Sequence, residues 1–309
     1  MGSPWLGDGV ECGPGEGFSG AWEFMKGWRM KSILVPLDGS PASFAALEQA
    51  VVWAGRMKAE LRGIFIEDEQ RLMYHPTAAS FEGGIPHEVP MPEGSRHEEE
   101  EKLKAEGQEI QTVFDKTTKG KVDKAHLTIV RGDVNLLLGM AARSVDLVII
   151  GKRGRDEPPD SEKTGPTTEA ILHEALRPIL VVPENPRVDG PVLFSYDGSV
   201  GVQRVCVPGT ALAVLKGDGA VILTVDSDAA KARANQETLR NYMEPYGISP
   251  KVEQAKGKPT KAIVDTSEKV GAGMIVMGAF GHGQFRQLLF GSTTLDVLEH
   301  AHCPVLLMI

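Results

Sequence analysis

Hydrophobic and polar positions in this chain follow two alternating rhythms. Short apolar runs of four to six residues are bounded by turn residues, and longer stretches between them carry apolar residues at helical spacing. The first run, Ser32–Leu37, reads as a buried strand. Ser40 can cap a helix with Pro41 at its first position, and the pattern carries that helix to about Met57. Leu61–Ile66 reads as a second strand, 97–119 as a charged helix, 126–131 as a third strand and 134–143 as a helix. Leu147–Ile150 is a fourth strand, 167–176 a helix and Ile179–Val182 a fifth strand. Such alternation predicts an α/β fold with a parallel sheet and helices on both faces.

The same series then occurs again. ILVPLDGS (Ile33–Ser40) answers VLFSYDGS (Val192–Ser199), and VRGDV (Val130–Val134) answers AKGKP (Ala255–Pro259). DLVIIGKRG (Asp146–Gly154) answers GMIVMGAFG (Gly273–Gly281). GPTTEAILHEALRPILVVP (Gly165–Pro183) answers GSTTLDVLEHAHCPVLLMI (Gly291–Ile309). A repeat of this length means two copies of one domain in tandem. The expected boundaries are 30–183 and 192–309, joined by a proline-rich linker at 184–191. Residues 1–29, rich in glycine and with Trp5, Trp22 and Trp28, lack periodicity and read as a disordered, dispensable leader, with Met30 as a candidate start. An aromatic functional tail is the alternative. Two irregularities break the repeat. Residues 68–96 insert a proline- and glycine-rich loop with His75, His87 and His97 around it, read as a mobile surface loop with a lid or metal site as the alternative; the histidines lack metal-ligand spacing, which favours the loop. Pro208-Gly209 falls inside the first helix of the second copy and is expected to kink or split it.

Charge and cysteines narrow the function classes. The formal net charge of −9 argues against a general nucleic-acid partner. Cys12, Cys206 and Cys303 are far apart and in no metal spacing, which fits a reducing compartment and leads to a cytoplasmic expectation. No apolar run is long enough for a transmembrane helix, so no membrane partner is expected.

The candidate chemistry sits in the second copy. Met274–Met277 is a strand that ends on Gly278; Gly281 and Gly283 follow, then Gly291, Ser292, Thr293 and Thr294 open a helix. Glycines let backbone approach an anion, and the helix N-terminus supplies N–H groups and a favourable dipole. The spacing is G-x-x-G, nine residues, then G-S, which is neither a P-loop nor a dinucleotide fingerprint. Gly278, Gly281, Gly291 and Ser292 match the ATP-binding signature of universal stress proteins, and both copies resemble that family over nearly all of 31–309.

The resemblance implies a Rossmann-like, doubly wound five-stranded sheet of order 3-2-1-4-5 in each copy. Their last strands pair between domains, and the ligand is an adenine nucleotide, ATP with or without Mg²⁺. It places the contacts on Ser195, Tyr196, Asp197, Val225, Met277, Gly278, Ala279, Phe280, Gly281, His282, Gly283, Gly291, Ser292, Thr293 and Thr294. Asp197 is either a contact to ribose, adenine or a divalent ion, or an Asx turn with Gly198. Val225 either flanks adenine or packs in the core, and His282 and Arg286 either meet phosphate or face solvent. The first copy keeps Pro36, Asp38, Gly39, Ser40, Ile66, Gly151 and Gly154, but Pro166 stands where Ser292 stands. Its loop also carries Asp156, Glu157, Asp160 and Glu162 beside Lys152, Arg153 and Arg155, so one nucleotide per chain is expected. Nothing resembles a catalytic set or a metal site. The expected function is a nucleotide-sensing stress-response or signalling module, not an enzyme, with an unidentified protein partner. The alternatives are a slow ATPase or nucleotidyl-transfer enzyme on the same adenine-binding fold, and a scaffold with a vestigial site. Whether whole chains form a homodimer stays open.

Overall fold

In a computed structural model, the structure describes residues 30–82, 85–155, 163–174, 176–279 and 292–308. The leader therefore lies outside the described residues. In chain order the first half contains β1 (Ser32–Pro36), α1 (Pro41–Met57), β2 (Glu60–Asp68), α2 (Gln70–Met73), β3 (Tyr74–Glu82), β4 (Ile85–Pro90) and α3 (Glu93–Thr118). It continues with β5 (Ala125–Gly132), α4 (Val134–Ala142), β6 (Leu147–Gly151), α5 (Pro166–Glu174) and β7 (Ile179–Val182). The second half contains β8 (Val192–Ser195), α6 (Val200–Lys216), β9 (Ala220–Val225), α7 (Ala229–Met243) and β10 (Lys251–Ala255). It ends with α8 (Pro259–Lys269), β11 (Met274–Gly278), α9 (Ser292–His300) and β12 (Val305–Met308).

Ten strands form one sheet, in the order β10-β9-β8-β11-β12-β7-β6-β1-β2-β5. Read within each half, that is 3-2-1-4-5, all parallel. The halves meet at β12 and β7, which pair antiparallel with Leu306 opposite Leu180. Alternation along each strand builds two cores. Ile33, Val35, Ile149, Phe194 and Val276 face one layer with α1, α3 and α6; Leu34, Val148, Ile150, Leu193 and Ile275 face the other with α4, α5 and α9. Both cores cross the β7–β12 seam without a break.

The helix starts follow the capping chemistry. Ser40 accepts from the Ser43 N–H at 3.1 Å, Ser199 from Val202 at 3.4 Å, and Asp133 from Leu136 at 2.8 Å. Such caps satisfy donors that the first turn leaves unpaired.

Two expectations need correction. The 68–96 insertion is no irregular loop: α2 leads into an antiparallel β3–β4 hairpin, and α3 begins at Glu93. Nor is the first helix of the second half split. α6 runs unbroken through Pro208, and Gly209 lets it lie close to the sheet. A Cβ on Gly209 would stand 2.7 Å from a Val276 methyl and 3.0 Å from the Phe194 ring. The segment joining the halves lies against the second one. The Arg187 backbone donates to His302 O at 2.7 Å and its guanidinium to Ala272 O at 2.9 Å.

Candidate functional site

Strand order reverses beside β8 and β11, so a crevice opens at their carboxyl ends, the usual ligand position in doubly wound sheets. Asp197 stands there. Its Oδ1 accepts from the Ser199 N–H at 2.9 Å, which closes an Asx turn around Gly198 at φ +78°. The turn reading of Asp197 is therefore realised, and the residue also lines a cleft of about 330 Å³ with Thr224, Val225, Lys231 and Asn235. Val225 ends β9 half-buried and packs on the same core face as Met277, which is buried. Ser195 ends β8 beside Leu223. Tyr196 offers the crevice little more than backbone: its ring is buried in the opposite core with Val202 and Cys206, and burial raises its phenol pKa.

The glycine that closes β11 has a reason independent of any ligand. A Cβ on Gly278 would stand 2.9 Å from the Val202 nitrogen and 3.2 Å from the Gly201 carbonyl carbon, so the bare position lets the first turn of α6 rest on the strand. Gly151 does the same for α1, where a Cβ would stand 2.7 Å from the Ala42 carbonyl carbon. Ala279 is fully buried, and the Thr294 hydroxyl donates to its carbonyl at 2.8 Å. Thr168, the counterpart of Thr294, makes a similar bond one residue earlier in the repeat, to Gly151 O at 2.9 Å. Thr294 thus ties the helix to the strand end through its hydroxyl proton. Thr293 lies half-buried in the first turn of α9, and Ser292 opens that helix. Phe280, Gly281, His282, Gly283 and Gly291 lie outside the described residues, as do Arg286 and the Ser292 side chain.

Helix α7 supplies crevice residues that the repeat did not reveal. Lys231 pairs with Asp226 at 3.0 Å, which raises the lysine pKa. The Asp226 carboxyl is held low, first by the Asp228 N–H and then by Lys231. The Asn235 amide oxygen sits where a Cβ on Gly198 would clash, at 2.7 Å. Their signal was an i, i+4 polar pair on one helix face, too common to single out.

The equivalent crevice of the first half is a cavity of about 220 Å³, lined among others by Pro36, Asp38, Ile66, Gly151, Gly154 and Pro166. Side chains cross its mouth. Asp38 accepts from the Ser40 N–H at 2.9 Å and the Arg155 N–H at 2.8 Å. The Arg155 guanidinium lies over Gly39 and pairs with Glu106 at 2.7 Å. Glu106 in turn holds Arg71 at 3.0 Å, and Arg71 reaches Glu99 at 2.6 Å. The bridge links the hairpin insertion, α3 and the loop after β6. Arg153 pairs with Glu184 at 3.3 Å. The acids at 156, 157, 160 and 162 lie outside the described residues. Among the described residues no cluster of His, Cys, Asp or Glu suits a metal ion, and no helix is long and apolar enough to cross a membrane.

The sequence model of the universal stress protein family matches twice, at residues 30–183 and 195–308. A universal stress protein from Synechocystis sp. is 33% identical over 163 residues, 52% of this chain and 57% of that protein. Matches to the first curated relatives span 41–57% of their own length. Among solved structures, a universal stress protein from Archaeoglobus fulgidus superposes with a TM-score of 0.68 at 21% identity, covering 91% of this chain and 97% of that one. A putative universal stress protein from Pseudomonas aeruginosa gives 0.59 at 18% identity, covering 90% and 93%. At such identities the likeness concerns the fold.

Proposed function

Because the chain belongs to the universal stress protein family, we propose that it is a nucleotide-sensing stress-response module that binds one adenine nucleotide, ATP in the first instance, in its second half. The observation that carries this reading is the cleft at the ends of β8 and β9. It gathers Asp197 and Val225 beside β11, the strand that leads into the Gly278–Ser292 signature. A carboxylate beside an apolar wall suits a ribose and a flat base. The Gly281 and Gly291 spacing, followed by the α9 N-terminus, suits the phosphates.

The first half offers the same walls with its mouth differently arranged. A nucleotide there would have to displace the Arg155–Glu106 bridge, and Pro166 leaves the start of α5 without one N–H donor. Losing one or two hydrogen bonds to a charged ligand costs roughly 1.5–3 kcal/mol each. At about 1.4 kcal/mol per tenfold, the first site is weaker by on the order of ten- to ten-thousandfold.

Calorimetric titration with ATP and magnesium is expected to give a stoichiometry near one. Gly281→Val or Gly291→Val should abolish the heat, and Gly154→Val should leave it. Two equivalent sites, or binding that survives both second-half changes, would overturn the assignment. Turnover is expected to be very slow, because uniform binding of substrate and transition state gives little acceleration. A single-turnover assay showing fast hydrolysis, lost in Asp197→Ala with the fold intact, would place the chain among enzymes instead.

A further inference from the structure

Three large apolar side chains stand in the open on the outer side of α4 and α5. Leu136 is 62% exposed, Met140 58%, and Leu176, just past the end of α5, 75%. Leu136 and Met140 lie four apart on one helix face, and α4 packs against α5.

The internal repeat provides a control for this stripe. Counted from the paired glycines Gly132 and Gly257, Leu136 falls on Lys261 and Met140 on Asp265. Counted from Gly165 and Gly291, Leu176 falls on His302. In the second half these positions carry polar pairs. Lys261 and Asp265 bridge at 2.7 Å, and His302 stands 3.5 Å from Glu268. The inward positions of the same helices keep their character: Leu138 matches Ile263 and Ala142 matches Ser267, all four buried. One fold, one helix pair and one buried face thus carry two different outer surfaces. Stability of the half-domain does not require the apolar version, because the polar version is compatible with the same packing. An exposed apolar patch of this kind marks a contact surface.

The charges around the stripe point to its occupant. Asp133 and Glu169 stand at the N-terminal ends of α4 and α5, and Arg143 and Arg177 stand exposed just past their C-terminal ends. Leu136 and Met140 lie between these ends, with Leu176 beside Arg177 at the basic end, and a surface acidic at one end and basic at the other complements itself under a two-fold rotation. The rotation lays the stripe on its own copy and sets each acidic end against the partner's basic end. A stable contact buries about 800 Å² on each side, with an apolar centre and a polar rim. In such a contact Leu136, Met140 and Leu176 would lie toward the centre and the four charges toward the rim. We propose that the α4–α5 face of the first half is the surface on which two copies of this chain dimerise.

The second half supplies the test variant. Sedimentation velocity of the full chain at micromolar concentration should show a dimer. Leu136→Lys combined with Met140→Asp transplants the ion pair of α8 onto α4. It should give a monomer with the circular dichroism of the parent and a cooperative melting transition that no longer depends on protein concentration. The dimer should persist when residues 1–29 are deleted. A monomeric parent chain, or a dimer unaffected by the double change, would overturn the proposal. So would a chain that dimerises only after residues 1–29 are removed, since the stripe would then belong to the chain's own leader.

Discussion

Cys206 lies on α6 only 3% exposed, beside Tyr196 and within the field of Asp197. Burial, and then the Asp197 charge, push its thiol up to about 12, whereas a free cysteine titrates near ~8.5. Below the lower value both folded and unfolded chains hold the proton, and stability is undiminished. Between the two values the unfolded chain loses the proton while the folded chain keeps it, so stability falls as pH rises toward 12. Urea unfolding at pH 8 and pH 10.5 should therefore show a loss on the order of 2 kcal/mol that Cys206→Ala does not share. The cavity cost of that substitution is the same at both pH values and cancels in the comparison. Equal losses in parent and variant would show that the thiol already titrates in the folded chain. The same burial that makes Cys206 a pH-sensitive packing residue removes it from neutral-pH nucleophilic chemistry, because the thiolate is the reactive form. At this scale the sequence was readable only in part. Asp197, Val225 and Met277 could be named from the family resemblance. Lys231, Asn235, Arg71 and Glu106 could not, since they reach the crevices from helices that bear no fixed spacing to the motifs.

Elements with a clear period could be read almost to the residue. α1 begins at Pro41 and ends at Met57, and β7 spans Ile179–Val182, because caps and apolar runs agree there. The β3–β4 hairpin escaped. Pro76, Pro86 and Pro90, with Gly83-Gly84 between the strands, obscure any alternation, and those signals describe a loop equally well. α6 escaped for the opposite reason: the local rule for Pro208 is sound, but packing overrides it. Gly209 makes that packing possible, which yields a prediction against helix propensity. Alanine is the better helix former, yet Gly209→Ala would drive a methyl group into Val276 and Phe194, neither of which has room to retreat in a closed core. A destabilisation of about 1–3 kcal/mol is expected from overpacking. Gly94 in the first turn of α3 is the control, since a Cβ there meets nothing within 4 Å. Gly94→Ala should leave the urea midpoint unchanged or raise it slightly. If both alanines stabilise, helix propensity outweighs packing in α6 and the explanation for its continuity fails.

For the whole molecule, the β7–β12 seam is the feature that turns a repeat into one body. Every residue of β7 is buried, and so are Val305, Leu306 and Leu307 of β12. A parallel sheet whose last strand is this apolar has an edge that cannot be left in water, and pairing across a pseudo-two-fold axis covers both edges at once. The sequence showed two apolar final strands but gave no register, since antiparallel pairing of two short runs can slip without a turn to set it. The structure sets Leu180 against Leu306. Separating the halves restores the exposed edges. Residues 184–309 are the cleaner fragment for testing this, because they lack the Leu136–Met140 stripe, and any association they show reports on β12. Expressed alone, they should self-associate, and addition of residues 30–183 should convert them to a one-to-one complex, since β7 offers the partner edge for which β12 is shaped. Sedimentation of the fragment with and without its counterpart measures both steps. A folded, monodisperse monomer of 184–309 that ignores 30–183 would mean that β12 tolerates water. The seam would then be a consequence of tethering and not a demand of the strands themselves.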